Sequence, residues 1–275
     1  MTSIFAEDQT SFATVDDAAA TDAFPDYLAR MGEQLAELKA GLHAMLGLVP
    51  GERVLDVGCG TGADVRLLAG EVGETGRAEG VDNSRQLIDK ARLLTPLSAR
   101  NLRYQVADAH RLPFADATFD VARSERVLMH LAEPAAAVAE LARVTRPGGR
   151  VLIADPDHGM WALDLPDRSL ARTLTAWWFD FIANPWVART GPVLAKAAGL
   201  VDVRTRLFPI VFDDLAAADA MTGLNALGPA AAAQGVVPIE VADEFVESLR
   251  RRQEEGTFFM CGAVIATVGR VPAPC

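Results

Sequence analysis

Between residues 53 and 154 one pattern repeats: a short apolar run, a turn, then an amphipathic stretch with helical spacing. The apolar runs fall at 53–57, 77–81, 102–106, 119–123 and 150–154, and the helical stretches at 63–72, 84–94 and 134–144. Strands that alternate with helices pair in parallel, joined by right-handed crossovers. An open α/β sheet with helices on both faces is therefore predicted.

The flanks are organised differently. In the stretch 26–48, Leu28, Met31, Leu35, Leu38, Leu42 and Met45 recur at spacings of three and four, which predicts a helix stopped by Pro50-Gly51. Residues 1–25 are polar and acidic without periodicity and read as a flexible arm. Beyond Asp155 the chain holds all four tryptophans within 160–186, then a helix at 187–198 ended by Gly199 and a strand at 201–211. An alanine-rich helix at 215–233, broken at Gly228-Pro229, is followed by a helix at 240–254 and a last strand at 257–268. These divisions give one domain over 26–275. Its ligand-binding core is 50–156, and lid or substrate-pocket segments lie at 157–190 and 213–255.

Charge narrows the partners. With 37 acidic against 26 basic residues the net charge is −11, which argues against an extended nucleic-acid or anionic-membrane interface. Cys59, Cys261 and Cys275 show neither disulfide nor metal-ligand spacing, so no metal is expected. The first residues lack the basic and apolar regions of a signal peptide, and no apolar run approaches the ~18 residues of a membrane span. A cytoplasmic protein is expected, with a homodimer as an allowed assembly.

The strongest local signal is Val54-Leu55-Asp56-Val57-Gly58-Cys59-Gly60-Thr61-Gly62. An apolar strand enters a glycine turn and a helix follows, so a ligand can approach the backbone and the first helical N–H groups closely. The second strand ends at Asp82, twenty residues after Gly62, where a carboxylate can accept hydrogen bonds from both ribose hydroxyls. Asp108 and Ala109 follow the third strand and can meet an adenine amino group and ring nitrogen. Arg123-Ser124 end the fourth. Polar residues thus gather at the carboxyl ends of successive strands, where open α/β sheets hold ligands.

The segments LDVGCGTG at 55–62, GVDNS at 80–84, VADAHRLPF at 106–114, FDVARSERVLMHL at 119–131 and RPGGRVLIADP at 146–156 resemble, in order and spacing, class I S-adenosylmethionine-dependent methyltransferases of the ubiquinone/menaquinone-type branch. The resemblance covers about 50–156. It implies a Rossmann-like, seven-stranded, mostly parallel sheet with the last strand antiparallel, plus a helical lid. It also implies S-adenosyl-L-methionine as cofactor and S-adenosyl-L-homocysteine as product. Carried over, it places Asp56, Gly58, Cys59 and Gly60 at the methionine end and Asp82 with Asn83 at the ribose. Asp108 and Ala109 fall at the adenine, and Arg123 and Ser124 beside the sulfonium through their backbones. Tyr27, on the N-terminal helix, is the candidate for an aromatic cover.

Methyl transfer needs an aligned acceptor, a dry site and, for some acceptors, a base. His130 and His158 follow the fourth and fifth strands on the ligand edge; His158 is the stronger candidate base, His130 fits a packed residue beside the cofactor, and Asp155 and Glu125 are alternatives. Trp161, Trp177, Trp178, Phe181, Trp186 and Met221 offer an apolar, π-rich lining, against the plain alternative of core packing. The function expected is methylation at carbon or oxygen of a hydrophobic or aromatic small molecule in secondary metabolism. The cofactor motifs do not separate this from cyclisation or rearrangement on the same fold, alone or coupled to methylation. The G-x-G-x-G spacing and the missing Tyr-x-x-x-Lys pair count against a nicotinamide oxidoreductase.

Overall fold

The computed structural model describes residues 35–273. The arm 1–25, Tyr27 and the first turns of the expected N-terminal helix lie outside the described residues. In chain order the elements are α1 Ala36–Leu46, β1 Arg53–Val57, α2 Ala63–Val72, β2 Arg77–Asp82, α3 Arg85–Leu93, β3 Leu102–Val106, β4 Phe119–Glu125, α4 Pro134–Val144 and β5 Thr145–Pro156. They continue as β6 Ala162–Leu163, α5 Arg168–Phe179, α6 Val187–Ala197, β7 Val201–Phe212, α7 Leu215–Thr222, α8 Leu224–Ala233, α9 Ile239–Glu254 and β8 Met260–Arg270. Single 3-10 turns occupy Leu128–His130 and His158–Met160.

All strands join one sheet in which β3, β2, β1, β4 and β5 run parallel. β8 is antiparallel to β5 on one side and to β7 on the other. Among the described residues the sheet has eight strands where seven were expected. Beyond the turn His158–Met160 the chain pairs again with β8 through Ala162 and Leu163, on the side where β5 pairs. The eighth strand thus resumes the line of β5 after one break.

Both faces of the central strands are buried, which explains their near-continuous apolar runs. Val54, Val121 and Leu152 join a core with Leu38, Leu42 and Leu46 of α1 and Val65 and Leu68 of α2. Leu55, Ala122, Val151 and Ile153 point to the other core, with Val138, Leu141 and Val144 of α4 and Ala195 of α6. The period of two sends successive residues to opposite layers.

Two expected breaks move. α1 ends at Gly47, before Pro50-Gly51, because Gly47 adopts a left-handed cap (φ 55°) and returns its N–H to the His43 carbonyl. The alanine-rich helix breaks at Gly223 (φ 66°), and Pro229 lies inside α8. Gly228 is a packing glycine: a Cβ there would press on Phe245 and the Ala242 carbonyl of α9. No helix among the described residues is long and apolar enough to cross a membrane.

Candidate active site

β1 runs straight into the glycine turn. Gly58, Gly60 and Gly62 all have positive φ, and a Cβ would overlap the Val127 side chain at Gly58 and the Tyr104 ring at Gly62. Only glycine fits such backbone at so close an approach. The N–H groups of Gly58 and Cys59 donate to the Val81 carbonyl at 2.8 and 2.9 Å, tying the turn to β2. Asp82 ends β2, and its carboxylate accepts from the N–H groups of Gly60 (2.9 Å) and Ser84 (3.0 Å). The Ser84 hydroxyl in turn accepts from Leu87 N–H and caps α3. The acid expected at the ribose is thus fixed by backbone from both sides.

Above the strand ends lies a cavity of about 620 Å³, within the range of small-molecule sites. Asp56, Gly58, Cys59, Gly60, Asp82, Asn83, Asp108 and Ala109 line it, as do Arg123, Glu125, His130 and His158. Its apolar wall includes Trp161, Trp178 and Met221. The Asp108 carboxylate is largely exposed and accepts from the backbone N–H of His110 at 2.9 Å. Several sequence-expected residues sit elsewhere. Ser124 is buried and does not line the cavity. Trp177 and Phe181 pack on each other edge to face, 4.9 Å between ring centres, and are not part of the lining. Trp186 is exposed and also stands outside it. On α5, adjacent residues point in different directions, so Trp178 and Trp177 cannot both face the cleft.

Under one end of the cavity is a buried ionic network. The Arg123 guanidinium, fully buried, contacts Asp56 at 3.1 Å, Asp64 at 3.0 Å and Glu125. Lys39, from the inward face of α1, bridges Asp64 at 2.5 Å and Glu125 at 3.3 Å. Burial drives the Asp64 and Glu125 carboxyls up, but the two cations outweigh it and hold both low. At Asp56 burial wins over Arg123, whose charge is shared, and the carboxyl rises to about 7. The expectation for Arg123 concerned its backbone; its side chain proves to be the centre of this network. Sequence reading missed Lys39 and Asp64. The signal for Lys39 was present: it is a charge on the same helical face as Leu35 and Leu42.

The four candidate bases separate clearly. Asp155 is buried and does not line the cavity; burial raises its carboxyl to about 8, and it accepts from Met129 N–H at 3.2 Å. A neutral acid behind the wall is no base for the cleft. Glu125 faces the cleft, but its oxygens are engaged by Arg123 and Lys39. His130 and His158 both line it, and burial lowers each imidazole to about 4, so both are neutral near pH 7. His158 Nδ1 lies 3.2 Å from the Pro185 carbonyl, an acceptor only, so Nδ1 carries the proton and Nε2 keeps its lone pair. Its ring stands 5.5 Å from Phe179 and 6.2 Å from Trp178. Asn184 beside Pro185 donates to the Leu128 and Leu131 carbonyls of the turn that carries His130. One short segment thus braces both histidines.

An open, mostly parallel sheet with a glycine turn after β1 and an acid after β2 is an arrangement in which α/β proteins hold nucleotides. Residues 55–153 match the family model described as a methyltransferase domain. A 37.1 kDa protein of unassigned function from a Streptomyces fradiae transposon is 33% identical over 264 residues, covering 96% of this chain and 71% of the relative. The O-methyltransferase cnsE of Penicillium expansum is 41% identical over 112 residues, 39% of this chain and 40% of that enzyme. Among solved structures, a Bacillus halodurans C-125 protein assigned to the methyltransferases superposes with a TM-score of 0.61 at 20% identity, over 86% of this chain and 99% of that one. The last is a likeness of fold. The chain belongs to the class I S-adenosylmethionine-dependent methyltransferase family.

Proposed function

We propose that the protein methylates carbon or oxygen of a hydrophobic or aromatic small molecule in secondary metabolism. The observation that carries this reading is one cavity with two unlike ends. One end is the glycine turn with Asp82; the other is an apolar wall of Trp161, Trp178 and Met221 with a neutral His158 in it. The glycine turn fits the cofactor, since Gly58 and Gly60 line the cavity without side chains and leave their backbone open to a ligand. Asp82 would hold the ribose with Asn83 beside it, Asp108 and Ala109 the adenine, and Gly58, Cys59 and Gly60 the methionine end. Segments 157–190 and 213–255 cover the acceptor.

S-adenosylmethionine supplies a methyl group already activated by its sulfonium. The protein's part is to align the acceptor, exclude water and take a proton where the acceptor carries one. The ring wall orients and dries the acceptor, and His158 Nε2 takes the proton, with the Pro185 carbonyl stabilising the imidazolium that forms.

Incubation with methyl-labelled S-adenosylmethionine and a metabolite extract tests the reading by mass spectrometry. A product one labelled methyl heavier, matched by S-adenosylhomocysteine, is expected. Substrate consumption without label transfer would favour cyclisation or rearrangement instead.

Asp82→Ala is expected to weaken S-adenosylhomocysteine binding by about 1–3 kcal/mol, because ribose hydroxyls lose their acceptor. Calorimetric titration reads this directly, and unchanged affinity removes the ribose assignment. The lowered imidazoles set a pH profile. A base must be unprotonated to act, and His158 stays so until the pH falls toward about 4. The kcat/KM measured with the identified acceptor should therefore be level through the region of an ordinary histidine, 6.5, and fall only nearer 4. A fall centred near 6.5 would mean that the working base is a solvated one.

A further inference from the structure

Arg126 lies just past β4, within the segment 119–131, and the resemblance gives it no role. Among the described residues it is one of three non-glycine residues with positive φ, at 57°, and its N–H donates to the Ala154 carbonyl at 2.7 Å. Bulky residues hold that conformation only where the surroundings impose it, and such strain gathers at functional sites. The side chain lines the cavity and keeps 19% exposure. Among the described residues its one ionic neighbour is Glu125, 3.5 Å from Nε, beyond good hydrogen-bond length, and the buried Nε has no hydrogen-bond partner.

The other lining cations are committed. Arg123 serves three carboxylates and Lys39 two, including the Glu125 that Arg126 approaches. Arg126 is thus the lining guanidinium with donors to spare. Its place is beside the turn Leu128–His130: Arg126, Val127, Met129 and His130 follow one another along the cavity lining. A guanidinium with free donors in a partly dry, apolar-walled cleft matches a planar carboxylate.

We propose that Arg126 anchors an anionic group of the acceptor, so that the cleft selects a hydrophobic or aromatic carboxylic acid over its neutral counterpart. The inference rests on reading the apolar end as the acceptor site. The carboxylate that Arg126 takes could also be the one on the cofactor's methionine tail, and the experiment separates the two sources.

S-adenosylhomocysteine is first titrated calorimetrically into the wild type, Arg126→Gln and Arg126→Lys. Each protein, loaded with S-adenosylhomocysteine, is then titrated with 1-naphthoate and with 1-naphthamide, which differ in charge and not in shape, while tryptophan fluorescence is followed. The expected result is equal S-adenosylhomocysteine affinity in all three. Naphthoate should bind about tenfold or more tighter than the amide in the wild type. That preference should vanish in Arg126→Gln and be partly kept in Arg126→Lys. A folded Arg126→Gln that loses S-adenosylhomocysteine affinity about tenfold places the anchor on the cofactor and overturns the proposal. So does equal binding of acid and amide by the wild type, or failure of naphthoate to bind at all; neither depends on the variants folding. Failure of the wild type to bind S-adenosylhomocysteine would instead bring down the methyltransferase reading, and this inference with it.

Discussion

Arg123→Met is expected to lower the melting temperature by roughly 6–20 °C, the consequence of breaking a buried ion cluster at about 3–5 kcal/mol in a chain of this length. Methionine approximates the volume of the stem but leaves Asp56, Asp64 and Glu125 with Lys39 as their main remaining counter-charge. The pH dependence gives the effect a signature. Asp56 already titrates at about 7 in the folded protein against 3.8 for the free group. A carboxyl whose folded value is raised binds more protons folded than unfolded, so it lowers stability as pH rises between those two values. Removing Arg123 raises Asp64 and Glu125 in the same sense. The variant's deficit should therefore be larger at pH 8 than at pH 5. Adding Asp64→Asn and Glu125→Gln should recover part of the loss, since the charges left unpaired are then gone. Thermal melts at both pH values read all three outcomes. A single variant melting within about 2 °C of the wild type would show that water or rearrangement solvates the carboxylates, and that the cluster is not dry.

The same cluster shows what the sequence could and could not reveal. Period and punctuation were enough for the α/β alternation: α2, α4, β1 and β3 have the bounds read from the sequence, because each is a local pattern ended by glycine, proline or a polar turn. The cluster of polar residues along one edge of the sheet was legible for a related reason. The glycine turn, Asp82 and Asp108 each close a parallel strand, and parallel strands bring their carboxyl ends to one side. Local pattern does not record which residues meet across elements. Lys39 of α1, Asp64 of α2 and Glu125 of β4 are far apart in the chain and meet only once the sheet has formed. The tryptophans make the same point. Composition brought all four to one stretch, but helix phase decides that Trp178 lines the cleft while Trp177 turns away. Gly228-Pro229 looked like a break and is a contact, because what matters at Gly228 is the approach of α9. The eighth strand, two residues long, carries no pattern at all and exists because β8 extends past the end of β5.

His158→Gln is expected to cut turnover by about 10²–10⁴-fold, the range for a positioned general base, while leaving S-adenosylhomocysteine affinity unchanged. Glutamine can still reach the Pro185 carbonyl through its amide N–H, so the turn His158–Met160 should keep its place. What it lacks is a basic nitrogen at the position of Nε2. The prediction therefore separates proton removal from packing against Phe179 and Trp178. His130→Gln is the informative comparison. That imidazole is also neutral and also lines the cleft, held down by burial first and by His158 and Arg126 after it. If His158 is the base, His130→Gln should cost much less in kcat and appear mainly in the acceptor KM. Equal loss from both variants would indicate a shared structural role, and a larger loss from His130→Gln would exchange their assignments. A small effect from either, with methyl transfer intact, would mean that the acceptor arrives without a proton to lose. That outcome would be natural for methylation of a carboxylate, the kind of acceptor that Arg126 is inferred to hold, and it would move catalysis from proton transfer to alignment alone. Measured together, the two histidine variants and the acid–amide comparison at Arg126 therefore decide whether the cleft works as a base or as a mould.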